Sequence, residues 1–231
     1  MDHGRGCAVF PRSGEKAMRQ TGRTDRKGPS RHHAEAVRAF VAIELPSEVH
    51  AFCRDAMERA RRRLGPAAGA VRWVEPAGIH LTLKFLGAVP AAQVPRLVER
   101  LQSGLADQAG FELAAGTLGV FPEKGLPRVI WLATVGDLAA LGICQQRVER
   151  ALEPLGFPPE RRAFAPHLTL GRVRETARPE ETAVIAALPA AWPPGTSPPF
   201  RVTTASLMRS ELAPGGARYT RLAVIPFAGG G

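Results

Sequence analysis

The run Arg38-Ala-Phe-Val-Ala-Ile-Glu44 is rich in β-branched and aromatic residues and predicts a strand, closed by Pro46. Ser47 reads as an N-cap, and Val49, Phe52, Met57, Ala60 and Leu64 fall near helical spacing over a charged outer face, so a helix is expected next. Val71 to Val74 and Ile79 to Val89 read as strands. The amphipathic pattern returns from Ala91 to Gln108 through Val94, Leu97, Val98, Leu101 and Leu105. Strands are expected near Phe111 to Phe121 and Arg128 to Thr134, then a helix from about Asp137 to Leu155 that Gly156-Phe-Pro-Pro stops. Phe164 to Val173 is the next strand, Pro179 to Leu188 a short helix, and Pro189 to Pro199 a loop. Phe200 to Leu212 and Ala217 to Phe227 close the chain as two β-rich runs joined by Pro214-Gly215-Gly216, the pattern of a hairpin. Strands and helices alternate without a Gly-rich phosphate loop, which predicts a mixed α+β fold with largely antiparallel sheet.

Residues 1 to 36 show no apolar period of either kind and read as a disordered basic tail, with Met18 as one alternative start; the folded part is expected over 37–228, with 229–231 a short tail. The formal charge is +10, and the tail holds eight Lys/Arg against four Asp/Glu, so +4 lies there and +6 in the remainder. A basic cleft for a polyanion is one reading of that excess. The other is compositional, because arginine outnumbers lysine 27 to 4 in a chain rich in Ala, Gly and Pro. No run approaches the roughly 18 apolar residues of a membrane span and no secretory h-region opens the chain, so a soluble cytoplasmic protein, by default a monomer, is expected. Cys7, Cys53 and Cys144 are odd in number and scattered, which excludes a disulfide framework and a zinc-ligand spacing.

The tetrapeptide His-Leu-Thr-Leu occurs twice, at His80-Leu81-Thr82-Leu83 and His167-Leu168-Thr169-Leu170, each inside an expected strand. Six histidines and twelve threonines in 231 residues give about 0.3 chance occurrences of one His-x-Thr, so a single copy says little and two copies sharing both leucines say much. Strand alternation sends His80 and Thr82 to one face and the leucines to the other, and the same holds for His167 and Thr169. Recurrence after 87 residues reads as an internal repeat in which each half gives one strand to a shared cleft. Two imidazoles facing each other suit in-line displacement at phosphorus, one taking a proton from water and the other giving one to the departing oxygen. The threonine hydroxyls would donate to the non-bridging phosphoryl oxygens. Neither motif has a carboxylate at metal-ligand spacing, no Gly-x-Ser-x-Gly elbow is present, and no cofactor is implied. His50 reads as a solvated residue on a helix.

These residues resemble the two-histidine phosphoesterase superfamily, most closely its RNA 2′,3′-cyclic phosphodiesterases, long described as LigT-like 2′-5′ RNA ligases. The likeness covers about residues 37 to 227. It rests on the paired motifs and on Arg38-Ala-Phe-Val-Ala-Ile43, Lys84-Phe-Leu-Gly87, Phe164-Ala-Pro-His167, Gly171-Arg172, Ser206-Leu-Met-Arg-Ser-Glu-Leu212 and Tyr219. The resemblance implies two pseudo-symmetric lobes of mainly antiparallel sheet with outer helices around a central cleft. It implies opening of a 2′,3′-cyclic end to a 2′-phosphate, with 2′-5′ ligation as the reverse reaction, His80 as proton donor and His167 as acceptor. The two motifs are symmetric, so the sequence itself leaves that order open. Lys84, Arg172 and Arg128 are candidates for phosphate contact, against the reading as solvated charges, with alternation placing Lys84 on the face of His80 and Thr82. Phe40, Phe85 and Trp131 are candidates to stack a base, against the reading as core. The expected partner is RNA with a 2′,3′-cyclic phosphate end; a small cyclic nucleotide or ADP-ribose cyclic ester, or RNA binding without catalysis, are the alternatives.

Overall fold

A computed structural model describes residues 36–213 and 216–227. The strand β1 (Ala36–Glu44) alternates strictly. Val37, Ala39, Val41 and Ile43 enter the main core, whereas Phe40 and Ala42 join a separate small cluster on the other face. Helix α1 (Ser47–Leu64) buries Val49, Cys53, Ala56, Met57, Ala60 and Leu64. Pro46 takes the capping position and no side chain caps the helix, so Ser47 is its first helical residue rather than its N-cap. His50 is half-buried and its Nδ1 lies 2.8 Å from the Pro76 carbonyl, tying α1 to the turn before the first motif rather than facing water.

Strands β2 (Val71–Trp73) and β3 (His80–Pro90) follow, then helix α2 (Val94–Leu105). The helical pattern beginning at Ala91 opens as a 3₁₀ turn, and the α-helix starts where Pro95, which has no amide hydrogen, can occupy the first turn. Strands β4 (Phe111–Phe121) and β5 (Val129–Gly136) lead to α3 (Leu138–Leu152), where Asp137 caps by accepting from the Ala140 amide at 2.9 Å. Strand β6 (His167–Val173) begins at the histidine rather than at Phe164, because Pro166 offers no amide and the Ala165 carbonyl accepts from the His167 ring. Helix α4 (Pro179–Ala187) comes next.

The β-rich run from Phe200 is two strands, not one. β7 (Phe200–Val202) pairs with β4, and after Thr203 the chain crosses to β8 (Thr204–Ala213), which pairs with β1 and with β9 (Gly216–Pro226). The β8–β9 hairpin is as expected, with Ala213 opposite Gly216; Pro214 and Gly215 of its turn, and the tail assigned to the chain's start, lie outside the described residues apart from Ala36.

All pairings are antiparallel, in the order β7-β4-β5-β6-β3-β1-β8-β9 with β2 added to β6. That order divides about the two motif strands. β7-β4-β5-β6 with β2 form one half and β3-β1-β8-β9 the other, and the pair Leu81↔Leu168 joins them. The sheet curls into a half-barrel: Phe111 of β4 stacks on Phe227 beyond β9 at 6.2 Å, and the Phe227 amide donates to the Thr203 carbonyl at 2.9 Å. The fold is α+β, and Leu81, Leu83, Leu168 and Leu170 sit in the core at 3% exposure or less. Burying each contributes about 1.5–3 kcal/mol, which pins both motif strands in register. Cys53 and Cys144 lie in the same core, where burial pushes each thiol up to about 12, as expected of inert thiols.

Candidate active site

The two motifs meet at their own leucines. An antiparallel pair has a local two-fold axis, and Leu81↔Leu168 sets that axis through equivalent positions of the repeat. Continuing the register one residue each way sets His80 across from Thr169 and Thr82 across from His167. The two histidines are then diagonal neighbours, which in a regular ladder lie roughly 7–8 Å apart with their Cβ atoms somewhat closer.

The burial patterns of the two strands match over six residues: half-buried His, buried Leu, half-buried Thr, buried Leu, a buried residue, an exposed one. The match has a backbone cause. Against β1, Thr82 pairs with Ala42 and Lys84 with Val41, so Leu83 is bulged; against β5, Thr169 pairs with Trp131 and Gly171 with Ile130, so Leu170 is bulged. A bulge adds one residue to a strand and reverses the alternation beyond it. In both halves it falls on the fourth residue of the motif. Lys84 and Gly171 therefore turn to the core, and Phe85 and Arg172 turn to the histidine face.

Each imidazole is fixed in the same way. His80 Nδ1 donates to the Gly78 carbonyl at 2.8 Å and His167 Nδ1 to the Ala165 carbonyl at 2.7 Å. A carbonyl can only accept, so Nδ1 carries the hydrogen in both rings and Nε2 is left to take or give a proton. Aromatic walls hold the rings. Phe40 lies 4.6 Å from His80 and Tyr219 meets it edge-on at 4.9 Å; Phe121 meets His167 edge-on at 5.1 Å and Trp131 at 6.3 Å. Phe121 stacks on Trp131 at 4.6 Å, and this needs Gly119, since a Cβ there would overlap the indole.

The two halves differ in charge. Glu44, paired with His80 across β1 and β3, accepts from Arg221 Nε at 2.7 Å, from Arg221 Nη2 at 2.6 Å and from Ser206 Oγ at 2.5 Å. The Arg221 guanidinium holds this carboxyl below the usual range against the opposing effect of burial, with Ser206 and His80 adding to it. His80 is shifted down by burial, while its bond to Gly78 and the Glu44 carboxylate push it back up. Sequence reasoning missed Glu44, Phe121 and Gly119. The signal for Glu44 was present in β1, where Phe40, Ala42 and Glu44 share a face.

Thus His80, Thr82, His167 and Thr169 are brought together on one face. Two further expectations need revision. Lys84 is not on that face: the bulge turns it inward, where it is 7% exposed, ion-paired with Glu149 of α3 and donating to the Pro158 carbonyl at 2.8 Å. Phe40 is 2% exposed beneath the His80 ring, so it supports the imidazole and has no face free for a base. Phe85, 71% exposed and 6.1 Å from Phe40, is the aromatic that the cleft leaves open. Arg172 is exposed on the histidine face; Arg128 is exposed just before β5, its carbonyl accepting from Val173 at 2.9 Å. Among the described residues no three His, Cys, Asp or Glu side chains gather as a metal-ligand set, and no helix is long and apolar enough to cross a membrane.

The family model for LigT like Phosphoesterase matches residues 49–131 and 139–219. The chain is 34% identical over 188 residues to the RNA 2′,3′-cyclic phosphodiesterase of Methanothermobacter thermautotrophicus, covering 81% of this chain and 97% of that one. It is 34% identical over 193 residues to the enzyme of the same name from Thermus thermophilus, covering 80% and 88%. Among solved structures it superposes on the TT0787 protein of Thermus thermophilus with a TM-score of 0.67 at 27% identity, covering 84% of this chain and all of that one. It superposes on E. coli LigT complexed with 3′-AMP with a TM-score of 0.63 at 29% identity, covering 84% and 99%. The repeated motif, the shared bulge and the match over both halves agree: this chain belongs to the LigT-like phosphoesterase family.

Proposed function

We propose that the chain is an RNA 2′,3′-cyclic phosphodiesterase that uses His80 and His167 as an acid and base on one phosphorus. The observation that carries this reading is the Leu81↔Leu168 pair, whose two-fold axis relates two Nδ1-anchored imidazoles across one opening. His167 Nε2 takes a proton from water as its oxygen bonds to phosphorus. The bond from phosphorus to the ribose 3′ oxygen breaks in line, and His80 Nε2–H protonates that oxygen, leaving a 2′-phosphate; with the 5′ hydroxyl of a second strand attacking in place of water, the same steps join the ends through a 2′-5′ linkage. Giving the donor role to His80 follows the family pattern; burial shifts this ring down, and the Gly78 carbonyl and the Glu44 carboxylate offset part of that by favouring its charged form. Thr82 and Thr169 donate to the non-bridging oxygens, and Phe85 offers a stacking face to the terminal base. Both motifs lie in one chain, so a monomer contains the whole site.

Purified protein treated with chelator should hydrolyse a 2′,3′-cyclic nucleotide to the 2′-monophosphate. Binding of RNA without turnover under any condition would contradict the proposal. Thr82→Val and Thr169→Val should each lower kcat about 10- to 100-fold, below the loss for a fully buried oxyanion donor because both threonines remain partly open to water. Unchanged kcat in both would remove the hydroxyls from the reaction.

The pH profile carries a sign. A donor must be protonated, so activity that depends on charged His80 falls as pH rises through its pKa. The groups around His80 are Glu44 of β1, Tyr219 and Arg221 of β9 and the ring of Phe40. Glu44→Gln removes the carboxylate that raises His80 and leaves Arg221 unpaired, so the alkaline limb of kcat/KM should move to lower pH, with Glu44→Asp restoring it. An alkaline limb that stays in place would contradict a donor at His80 tuned by Glu44.

A further inference from the structure

Strand β2 is the short addition to β6, and its middle residue, Arg72, pairs directly with Arg172. The parity of this pair is fixed from both sides. Trp73 and Val71 flank Arg72 and turn to the core, since a Cβ on Gly171 would meet the Val71 side chain at 2.6 Å and the Trp73 ring at 3.3 Å. Arg72 therefore shares the face of Arg172, which is the histidine face. Both arginines are exposed, and among the described residues no carboxylate lies within ion-pair distance of either.

Like charges directly opposite each other across two strands repel. Nothing in the packing requires the pair, because β2 is held by its backbone ladder, by Val71 and Trp73, and by the Val74 amide donating to Leu170 at 2.9 Å. Two guanidinium groups held side by side, Arg172 on the strand of His167 and Thr169 and Arg72 on the strand beside it, match a phosphodiester with two non-bridging oxygens. A mononucleotide bound between the histidines has no such group outside the cleft; an oligonucleotide does.

Resting on the phosphodiesterase reading above, we propose that Arg72, with Arg172, forms a subsite for an internal backbone phosphate of the RNA strand. The strand leaves the cleft across β6 and β2. Arg72 is thus a specificity residue that separates oligonucleotide ends from cyclic mononucleotides without touching the reacting phosphorus.

The test compares the full-length chain with Arg72→Ala and Arg72→Glu on two substrates, an oligoribonucleotide ending in a 2′,3′-cyclic phosphate and a 2′,3′-cyclic mononucleotide. On the oligonucleotide, Arg72→Ala should lower kcat/KM about 5- to 10-fold through KM, with a larger loss for Arg72→Glu; on the mononucleotide both should stay within about twofold. The slope of log binding constant against log salt for the oligonucleotide should fall by about 0.7, the loss of one phosphate contact on a single strand. Melting temperature should hold or rise in Arg72→Ala, since a repulsive pair is relieved. Equal loss on both substrates, or no loss on either, would overturn the proposal. Fluorescence anisotropy with an oligonucleotide bearing a 2′-phosphate end reads the same subsite without turnover, so failure of the catalytic reading and failure of this one are distinguishable. Weakened binding in Arg72→Ala supports the subsite, and unweakened binding rejects it.

Discussion

Replacing either His80 or His167 by alanine is expected to lower kcat on a 2′,3′-cyclic substrate by roughly 10² to 10⁴-fold, with little change in stability. The magnitude is that of one positioned proton transfer. Stability should hold because each ring is half-buried on the cleft face, outside the leucine core, and gives up a single bond to a carbonyl two residues away. The two losses should not multiply in the double variant, since a site lacking one partner no longer uses the other. Steady-state kinetics on the three variants checks this, with thermal melting as the control. A single variant retaining more than a tenth of wild-type kcat would exclude that histidine from the reaction.

The second large effect is on stability. Glu149→Ala removes the carboxylate that faces Lys84 in a setting where both side chains are under one-tenth exposed, leaving an ammonium with only the Pro158 carbonyl. Breaking a buried pair in this way costs about 3–5 kcal/mol, and in a chain of this size each kcal/mol moves the melting temperature by about 2–4 °C. A loss on the order of 10 °C is therefore expected. The double variant Lys84→Met, Glu149→Leu should recover most of it, as apolar replacements of buried pairs commonly do. KM for the cyclic substrate should be unaffected in the double variant, because Lys84 does not reach the cleft. A raised KM with unchanged melting would instead place Lys84 at the phosphate.

The contrast between Lys84 and Arg172 shows what the sequence carried and what it did not. Alternation along a strand is a local rule, and it holds from His80 to Leu83 and from His167 to Leu170, where half-buried and buried residues alternate, because no bulge intervenes before the fourth residue. It failed at Lys84 because the bulge at Leu83 depends on pairing with Val41 and Ala42, which lie about forty residues earlier. The repeat itself held the missing information: both motifs bulge at the fourth residue, so Lys84 corresponds to Gly171, a position in the second half with no side chain to reach a substrate. Phe40 illustrates a different limit. An aromatic in a strand is equally suited to stacking a base or walling an imidazole, and only the closeness of its ring to His80 decides.

The element order and the α+β class were legible because the core periods are strong, as in α1 and β1. The long run from Phe200 reads as one strand because nothing local marks Thr203 as the point where the chain leaves β4 for β1. That choice belongs to the curled sheet, whose ends meet through Phe111 and Phe227. Glu44 escaped notice for a related reason. A single acid at the end of an apolar strand is common, and its partners Ser206 and Arg221 come from the far end of the chain.

The most direct test of the central claim is a crystal structure of the chain with a nucleoside 2′-phosphate bound. Nε2 of His80 and Nε2 of His167 should each lie within roughly 3 Å of oxygens on the same phosphorus, with the Thr82 and Thr169 hydroxyls on its remaining oxygens. A phosphate held by one ring while the other points elsewhere would contradict it.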